Sequence, residues 1–122
     1  MKKLFGLLML SALLTGCTSI INLAPSHYPR DPSGYYRVEA QWTTHRTVVR
    51  PDSFKPLVVI NGANTYPMQP VPLVSQRWQA FIPVPPDQDM VLYHYKFDFL
   101  DDTFDGPRPN SLMSRDYELH IK

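Results

Sequence analysis

The distribution of proline constrains the fold of this chain more than any other feature of its sequence. All 13 prolines lie between residues 25 and 122, and no proline-free stretch there shows helical periodicity. Proline lacks a backbone N–H donor, and its ring disrupts the interior of a helix. The chain beyond residue 24 is therefore expected to be all-β.

Alternation of inward-facing and outward-facing residues locates the strands. The clearest run is 91–99, where every second residue is Val, Tyr or Phe. The same pattern predicts strands at 35–42, 57–61, 77–84 and 116–122, with a shorter candidate at 46–50. The Asn61-Gly62 pair is typical of a tight turn, and Pro83 indicates an edge strand or a bulge. Six or seven short strands predict one antiparallel, immunoglobulin-like β-sandwich over residues 34–122.

The first 16 residues have the composition of a secretory signal peptide. Two lysines, Lys2 and Lys3, precede the mostly apolar run 4–14, and the small residues Thr15 and Gly16 follow it. A positively charged start, a short apolar region and small residues before a cleavage point define such a peptide. A helix of this length reaches only about half of a ~30 Å hydrocarbon core, so this run is too short to span a membrane.

The four residues Leu14-Thr15-Gly16-Cys17 resemble the lipobox of bacterial lipoproteins. The resemblance implies that the thiol of Cys17 carries diacylglycerol, that the chain is cut before Cys17, and that the new amine is acylated, for example with palmitate. Two or three acyl chains hold a protein stably on a membrane, whereas one holds it marginally. In such lipoproteins an Asp after the Cys favours inner-membrane retention, so Thr18 implies the outer membrane. The alternative is an ordinary signal peptide with a leftover thiol.

Residues 17–33 are expected to form a lipidated Cys followed by an extended tether. This stretch carries three prolines, and extended chain of about 3.1 Å per residue would hold the domain up to ~50 Å from the lipid. Its apolar and aromatic residues leave open that part of it packs on the domain. Without Lys2 and Lys3 the chain has 10 basic and 11 acidic residues, and it shows no basic block. Nucleic acid is therefore not expected as a partner.

Four stretches, "VVING", "YPMQPVP", "RWQAFIPVPP" and "YHYKFDF", occur in an order that resembles starch- and glycogen-binding modules. That resemblance implies a carbohydrate-binding function. The segments from Ala24-Pro25 to Gly34-Tyr35 and from Ser114 to Ile121 also resemble small bacterial envelope lipoproteins, which implies no particular activity.

The aromatic residues divide by strand phase. Trp42 and Trp78 are in phase with apolar faces and are expected in the core, whereas Tyr35 and Phe81 are out of phase. Tyr66 lies near a turn, and Arg108 lies in a proline-braced loop, where little entropy is lost on binding. The candidate contacts for a glycan or a protein partner are therefore Tyr35, Tyr66, Phe81 and Arg108.

Other chemistry has little basis in the sequence. Asp101, Asp102 and Asp105 are a weak candidate for a calcium site, because their spacing is not that of an EF-hand and a solvated hairpin loop explains them. The four histidines have no metal-ligand spacing, and no motif of a nucleophilic or acid–base enzyme occurs. No resident cofactor is expected beyond the lipid on Cys17.

These features predict a lipid-anchored, non-catalytic envelope protein that serves as a structural or accessory interaction module. The expected partners are membrane lipid, through Cys17, and an envelope protein. An exposed sheet edge, with 77–84 as a candidate, would offer one route to a protein partner. The alternative is a module that reads an envelope or storage glycan.

Overall fold

The computed structural model describes residues 18–44 and 51–122, so the predicted signal peptide, Cys17 and the candidate strand at 46–50 lie outside the described residues. Strands dominate these ranges, and one short 3-10 turn occurs at Pro51–Ser53. The strands are β1 (Thr18–Asn22), β2 (His27–Tyr28), β3 (Tyr35–Thr44), β4 (Lys55–Ile60), β5 (Asn64–Pro67), β6 (Gln69–Pro70), β7 (Arg77–Pro83), β8 (Met90–Thr103), β9 (Gly106–Met113) and β10 (Tyr117–Ile121).

Two sheets pack face to face, which confirms the predicted all-β sandwich. Sheet A has the order β1-β3-β7-β6, and sheet B has the order β2-β10-β8-β4-β5, with β9 paired to the second half of β8. All pairs are antiparallel except β10 with β2. The count of ten strands in the described ranges exceeds the six or seven predicted, because several strands are too short to show alternation.

The alternation in the sequence corresponds to the inward faces of the strands. On β8, Val91, Tyr93, Tyr95, Phe97 and Phe99 are all buried, and they face the buried side chains of β3 and β7 in sheet A. Burial of large apolar side chains is the main stabilising contribution to such a core. The expectation that 91–99 forms a central strand is confirmed.

A cluster of five rings fills one end of the core. Trp42 contacts Phe54, Phe97 and Phe99 at centroid distances of 5.0, 5.1 and 5.6 Å, and Trp78 lies 4.9 Å from Phe54. Edge-to-face and tilted contacts at these distances are favourable for aromatic rings. Trp42 is buried and Trp78 is half-buried against the core, so the expectation that both tryptophans belong to the core is confirmed.

The segment assigned to a tether contains two strands. β1 pairs with β3 from Thr18↔Thr44 to Asn22↔Ala40, and β2 pairs with β10. The apolar residues of this segment explain the difference from the expectation, because Ile20, Ala24 and Tyr28 pack against the core. Residues 18–28 therefore belong to the sandwich and do not act as a spacer.

Two predictions about turns and edges have different outcomes. Asn61 and Gly62 have φ values of 52° and 71°, as in a type I′ hairpin turn, and Ala63 N donates to Ile60 O at 3.0 Å. The turn prediction is confirmed. β7 is an edge only in its second half, because β6 pairs with it at Trp78 and Gln79.

The sandwich has two ends that differ in which loops they carry. At the first, called the Thr44 end, β3 ends and β1 begins. The β6–β7 loop lies at the same end, because Trp42 N donates to Gln76 O of this loop at 2.9 Å. The opposite end, called the Tyr35 end, carries the loops 29–34 and 84–89, joined by Val84 N donating to Gly34 O at 2.8 Å.

Candidate functional site

The outward face of sheet A is the most distinctive surface formed by the described residues. Alternate residues of β3 and β7 point away from the core there, and the register aligns them in pairs. The pairs are Tyr35 with Pro83, Arg37 with Phe81, Glu39 with Gln79 and Gln41 with Arg77. We call this surface the outer face of sheet A.

Two exposed aromatic side chains occupy diagonal positions on this face. Tyr35 has 54% and Phe81 has 58% of its surface exposed. Since Phe81 lies opposite Arg37, Tyr35 and Phe81 are diagonal neighbours, and long or aromatic side chains reach each other across a diagonal. The structure therefore brings together two of the four residues predicted as contacts.

A charged cluster lies beside the aromatic pair. Glu39 is only 8% exposed although it faces outward. It forms an ion pair with Arg37 and lies 3.8 Å from Arg77 Nη1. The Nε of Arg37 also donates to Gln79 Oε1 at 2.6 Å. Charge-assisted contacts of this kind hold a guanidinium in one orientation, so Arg37 is positioned before any ligand arrives.

The other margin of the outer face is apolar and comes from the N-terminal segment. Ile21 on β1 pairs with Gln41, and Leu23 N donates to Glu39 O at 2.8 Å. Both of these side chains are exposed. The outer face thus has a charged centre with apolar groups on two sides, a composition typical of recognition surfaces.

Tyr66 and Arg108 do not join this surface. Tyr66 on β5 pairs with the buried Val58 and is half-buried in a shallow cleft that includes Pro83. Arg108 lies on the β8–β9 hairpin, where its Nη2 is 3.3 Å from Asp105 Oδ2. The alternation of inward and outward residues could not predict the exposure of either side chain, because each follows a turn.

The candidate calcium ligands do not converge. Asp101 Oδ2 accepts from Asn110 Nδ2 at 2.8 Å, and Asp105 is paired with Arg108 across the hairpin turn. Within residues 18–44 and 51–122, no three His, Cys, Asp or Glu side chains are grouped so that they could hold a metal ion. The calcium candidate therefore has no support in this geometry.

Polar groups in one open cleft bond to each other. This open cleft of about 760 Å³ lies where the β8–β9 hairpin leaves the sandwich. Its Asp98 accepts from Ser111 Oγ at 2.7 Å and lies 3.6 Å from Lys96 Nζ. A serine beside a carboxylate lacks the intervening base that nucleophilic catalysis requires. Of the described histidines, His27 and His120 stack at 5.0 Å, and His94 contacts Asp116 at 3.3 Å.

Sequence reasoning missed Arg37, Glu39, Arg77 and Ile21 as members of the surface. The signal for the first two was present, because Arg37 and Glu39 share the alternation phase of Tyr35. The contributions of Arg77 and Ile21 depend on which strands are neighbours, and that is a property of the tertiary structure.

Comparison with known proteins adds no relative. A scan against protein-family models finds no match to this chain, and a search of curated proteins finds none either. In the part of the chain that the structure describes, no helix has the length and apolar character needed to cross a membrane.

Proposed function

We propose that this protein is a lipid-anchored, non-catalytic accessory module of the bacterial cell envelope that docks a protein partner on the outer face of sheet A. The lipobox residues Leu14 to Cys17 support the anchor. The exposed pair Tyr35 and Phe81 supports the docking surface. Thr18 supports a location on the outer membrane, because lipoproteins retained in the inner membrane often carry Asp at this position.

The observation that carries the docking role is the placement of Tyr35 and Phe81 beside a pre-oriented Arg37. Tyrosine and arginine are enriched among the residues that contribute most to binding at protein interfaces. Glu39 holds the guanidinium of Arg37, so little entropy is lost when a partner binds it. An exposed apolar patch on a small domain is typical of an interaction site.

Site-specific photocrosslinking in intact cells tests the docking surface. A photoreactive residue at position 81 should give one adduct of defined mass. The matched control is position 92, because Leu92 is also partly exposed but lies on the outward face of sheet B. The adduct should disappear in Tyr35→Ser and keep its yield in Met113→Ser. Equal crosslinking at 81 and 92 would contradict the proposed surface.

Mass spectrometry of the purified protein tests the anchor. The mature chain should begin at Cys17 and carry the mass of diacylglycerol plus one N-acyl chain, and Cys17→Ala should abolish this modification. Wild-type protein without lipid would show that Cys17 is not an anchor, whatever the outcome of the crosslinking.

A glycan-binding module is the second candidate, and one observation favours it. The rings of Tyr35 and Phe81 lie beside the guanidinium of Arg37 and the amide of Gln79. Stacking rings flanked by hydrogen-bonding groups suit a pyranose. Affinity electrophoresis in gels containing storage or envelope polysaccharides should then retard the wild-type protein more than Phe81→Ser. Equal mobility in all gels would exclude this candidate for those polysaccharides.

A further inference from the structure

Two apolar side chains stand out from the rest of the described surface. Leu73 is 106% exposed and Phe104 is 105% exposed, more than any other large hydrophobic residue in the described ranges. Leu73 is in the β6–β7 loop, and Phe104 is at the tip of the β8–β9 hairpin. Neither side chain contributes to the core or to the outer face of sheet A.

Both residues lie at the Thr44 end of the sandwich. The β6–β7 loop is closed there by Trp42 N donating to Gln76 O and by Val71 N donating to Arg77 O at 3.0 Å. β8 reaches this end at Phe99, which packs against Trp42, and continues outward to Thr103 before the hairpin turns. The tips therefore project from one end although they belong to different sheets.

The predicted anchor joins the domain at this same end. β1 begins at Thr18, which pairs with Thr44, and Cys17 is bonded directly to Thr18. No spacer separates the candidate lipid attachment point from the first paired residue. If Cys17 carries the acyl chains, the Thr44 end must lie within a few ångström of the bilayer surface, because one residue spans at most about 3.6 Å.

Loops at the opposite end have a polar character. Arg30 Nη2 donates to Gln88 O at 2.9 Å and pairs with Asp89 Oδ1 at 3.0 Å. Asp31 Oδ1 accepts from Ser33 N at 2.8 Å. The two fully exposed apolar side chains, Leu73 and Phe104, thus both lie in loops of the Thr44 end.

The backbone holds both tips in defined positions. Leu73 and Gln76 have φ values of 64° and 63°, in the left-handed region that side chains other than glycine seldom adopt. At the other tip, Gly106 has a φ of 110°, and the ion pair between Asp105 and Arg108 spans the turn. The unfavourable backbone conformation of Leu73, which exposes its apolar side chain, suggests a functional reason for that exposure.

We propose that the Thr44 end of the sandwich lies on the membrane that holds the anchor, with Leu73 and Phe104 inserted into the headgroup–acyl boundary. This inference rests on the proposed acylation of Cys17. The two side chains add apolar contacts to the lipid anchor and orient the domain on the surface. Asp105, next to Phe104, is paired with Arg108, and the same hairpin carries Asp101 and Asp102, so we expect an apolar contact and no attraction to anionic lipids.

Fluorescent labels on the acylated full-length protein test this orientation. Single cysteines are introduced as Leu73→Cys, Phe104→Cys and, as the control at the Tyr35 end, Met90→Cys. The acylated thiol of Cys17 cannot react, so each variant takes one environment-sensitive label. The proteins are reconstituted in vesicles of phosphatidylethanolamine with phosphatidylglycerol, with and without a lipid that carries a nitroxide in its upper acyl chain.

Labels at 73 and 104 should shift to the blue in vesicles and be quenched several-fold more strongly than the label at 90. Protein that floats with vesicles while the labels at 73 and 104 stay in water, or are quenched no more than the label at 90, would overturn the inference and leave the anchor intact. Reaction of the parent protein with the label, or failure to float, would overturn both the anchor and this orientation.

Discussion

At the scale of single residues, a buried hydrogen-bond network ties the N-terminal segment to the core. Tyr95 Oη donates to Asn22 Oδ1 at 2.6 Å and lies 3.0 Å from Glu39 O, and Asn22 Nδ2 donates to Tyr93 Oη at 3.0 Å. Asn22 sits at the end of β1, so these bonds connect both sheets. A buried polar group is tolerated only when it has such partners.

Removal of one hydroxyl should weaken the fold measurably. Tyr95→Phe leaves the ring in place but takes the donor from Asn22 and Glu39 O, which should lower the free energy of unfolding by about 1–3 kcal/mol. Chemical denaturation followed by tryptophan fluorescence measures this change. Tyr35→Phe is the matched control, because the exposed Tyr35 should show no effect. Equal stability of the two variants would contradict the role of the network.

The same tyrosines make the fold sensitive to alkali. Burial raises the pKa of Tyr95 and of Tyr93 above the ordinary value of 10.0. Because these pKa values are raised in the folded state, the stabilisation is complete below about pH 10 and declines as the unfolded chain releases its phenolic protons. The free energy of unfolding should therefore fall with pH above 10, with a smaller slope in Tyr95→Phe. A pH-independent free energy between 9 and 11 would contradict this expectation.

At the scale of elements, proline blocks the outer edge of β9. Ser114 N donates to Tyr95 O, so alternate residues of β9 direct their N–H groups away from β8. Two of these outward positions are Pro107 and Pro109, which have no N–H. At the next, Ser111 N bonds to Asn110 Oδ1 at 2.8 Å. Such devices prevent a second chain from adding to an exposed edge.

Restoring the backbone N–H donors at positions 107 and 109 should allow copies of the protein to associate through β9. We expect Pro107→Thr with Pro109→Val to form dimers or larger species as concentration rises, because β9 then offers two further outward N–H donors. Sedimentation velocity over a concentration series measures this. Pro86→Ala, in the β7–β8 loop, is the control and should sediment like the wild type. If the double variant also stays unchanged, the prolines have no protective role.

Membership of β1 in the sandwich predicts opposite results for two adjacent isoleucines. Ile20 packs against the core, whereas Ile21 is exposed on the outer face of sheet A. Ile20→Ala should lower the free energy of unfolding by roughly 1–2 kcal/mol, less than for a fully buried site, and Ile21→Ala should leave it nearly unchanged. Thermal and chemical denaturation of the two variants measure the difference. A free tether would make both substitutions neutral.

At the scale of the whole molecule, the short connection between Cys17 and β1 would fix how the domain sits on a membrane. Tyr35 and Phe81, near the Tyr35 end of the outer face of sheet A, would then lie on the part of the domain farthest from the lipid, where they face a partner. A flexible Gly/Ser linker inserted between Cys17 and Thr18 should leave flotation with vesicles unchanged. It should reduce quenching of the label at position 104, because the linker releases the domain from the surface. Unchanged quenching would show that the two loop tips hold the domain without help from the short connection.

Part of the fold could be predicted from the sequence because its causes are local. Alternation at 91–99 and the Asn61-Gly62 turn each depend on a few consecutive residues, and both are present in the structure. The pairing of β1 with β3 could not be predicted, because the apolar residues of 20–24 are as compatible with a tether as with a strand. The candidate site likewise has a part that is predictable from local sequence and a part that is not. Phase placed Tyr35 and Phe81 outward, but their proximity depends on the register between β3 and β7.

The sequence by itself determined that this chain forms a β-sandwich and which side chains of its longest alternating strands enter the core, because proline content and alternation act within each strand. Only the tertiary structure decided that Glu39 is buried on an outward face, that Arg37 is held beside Phe81, and that Leu73 and Phe104 project from the end where β1 begins. Each of these depends on pairing between residues far apart in the chain. The free energy of such pairing comes from burial shared by whole sheets, which no short stretch of sequence contains.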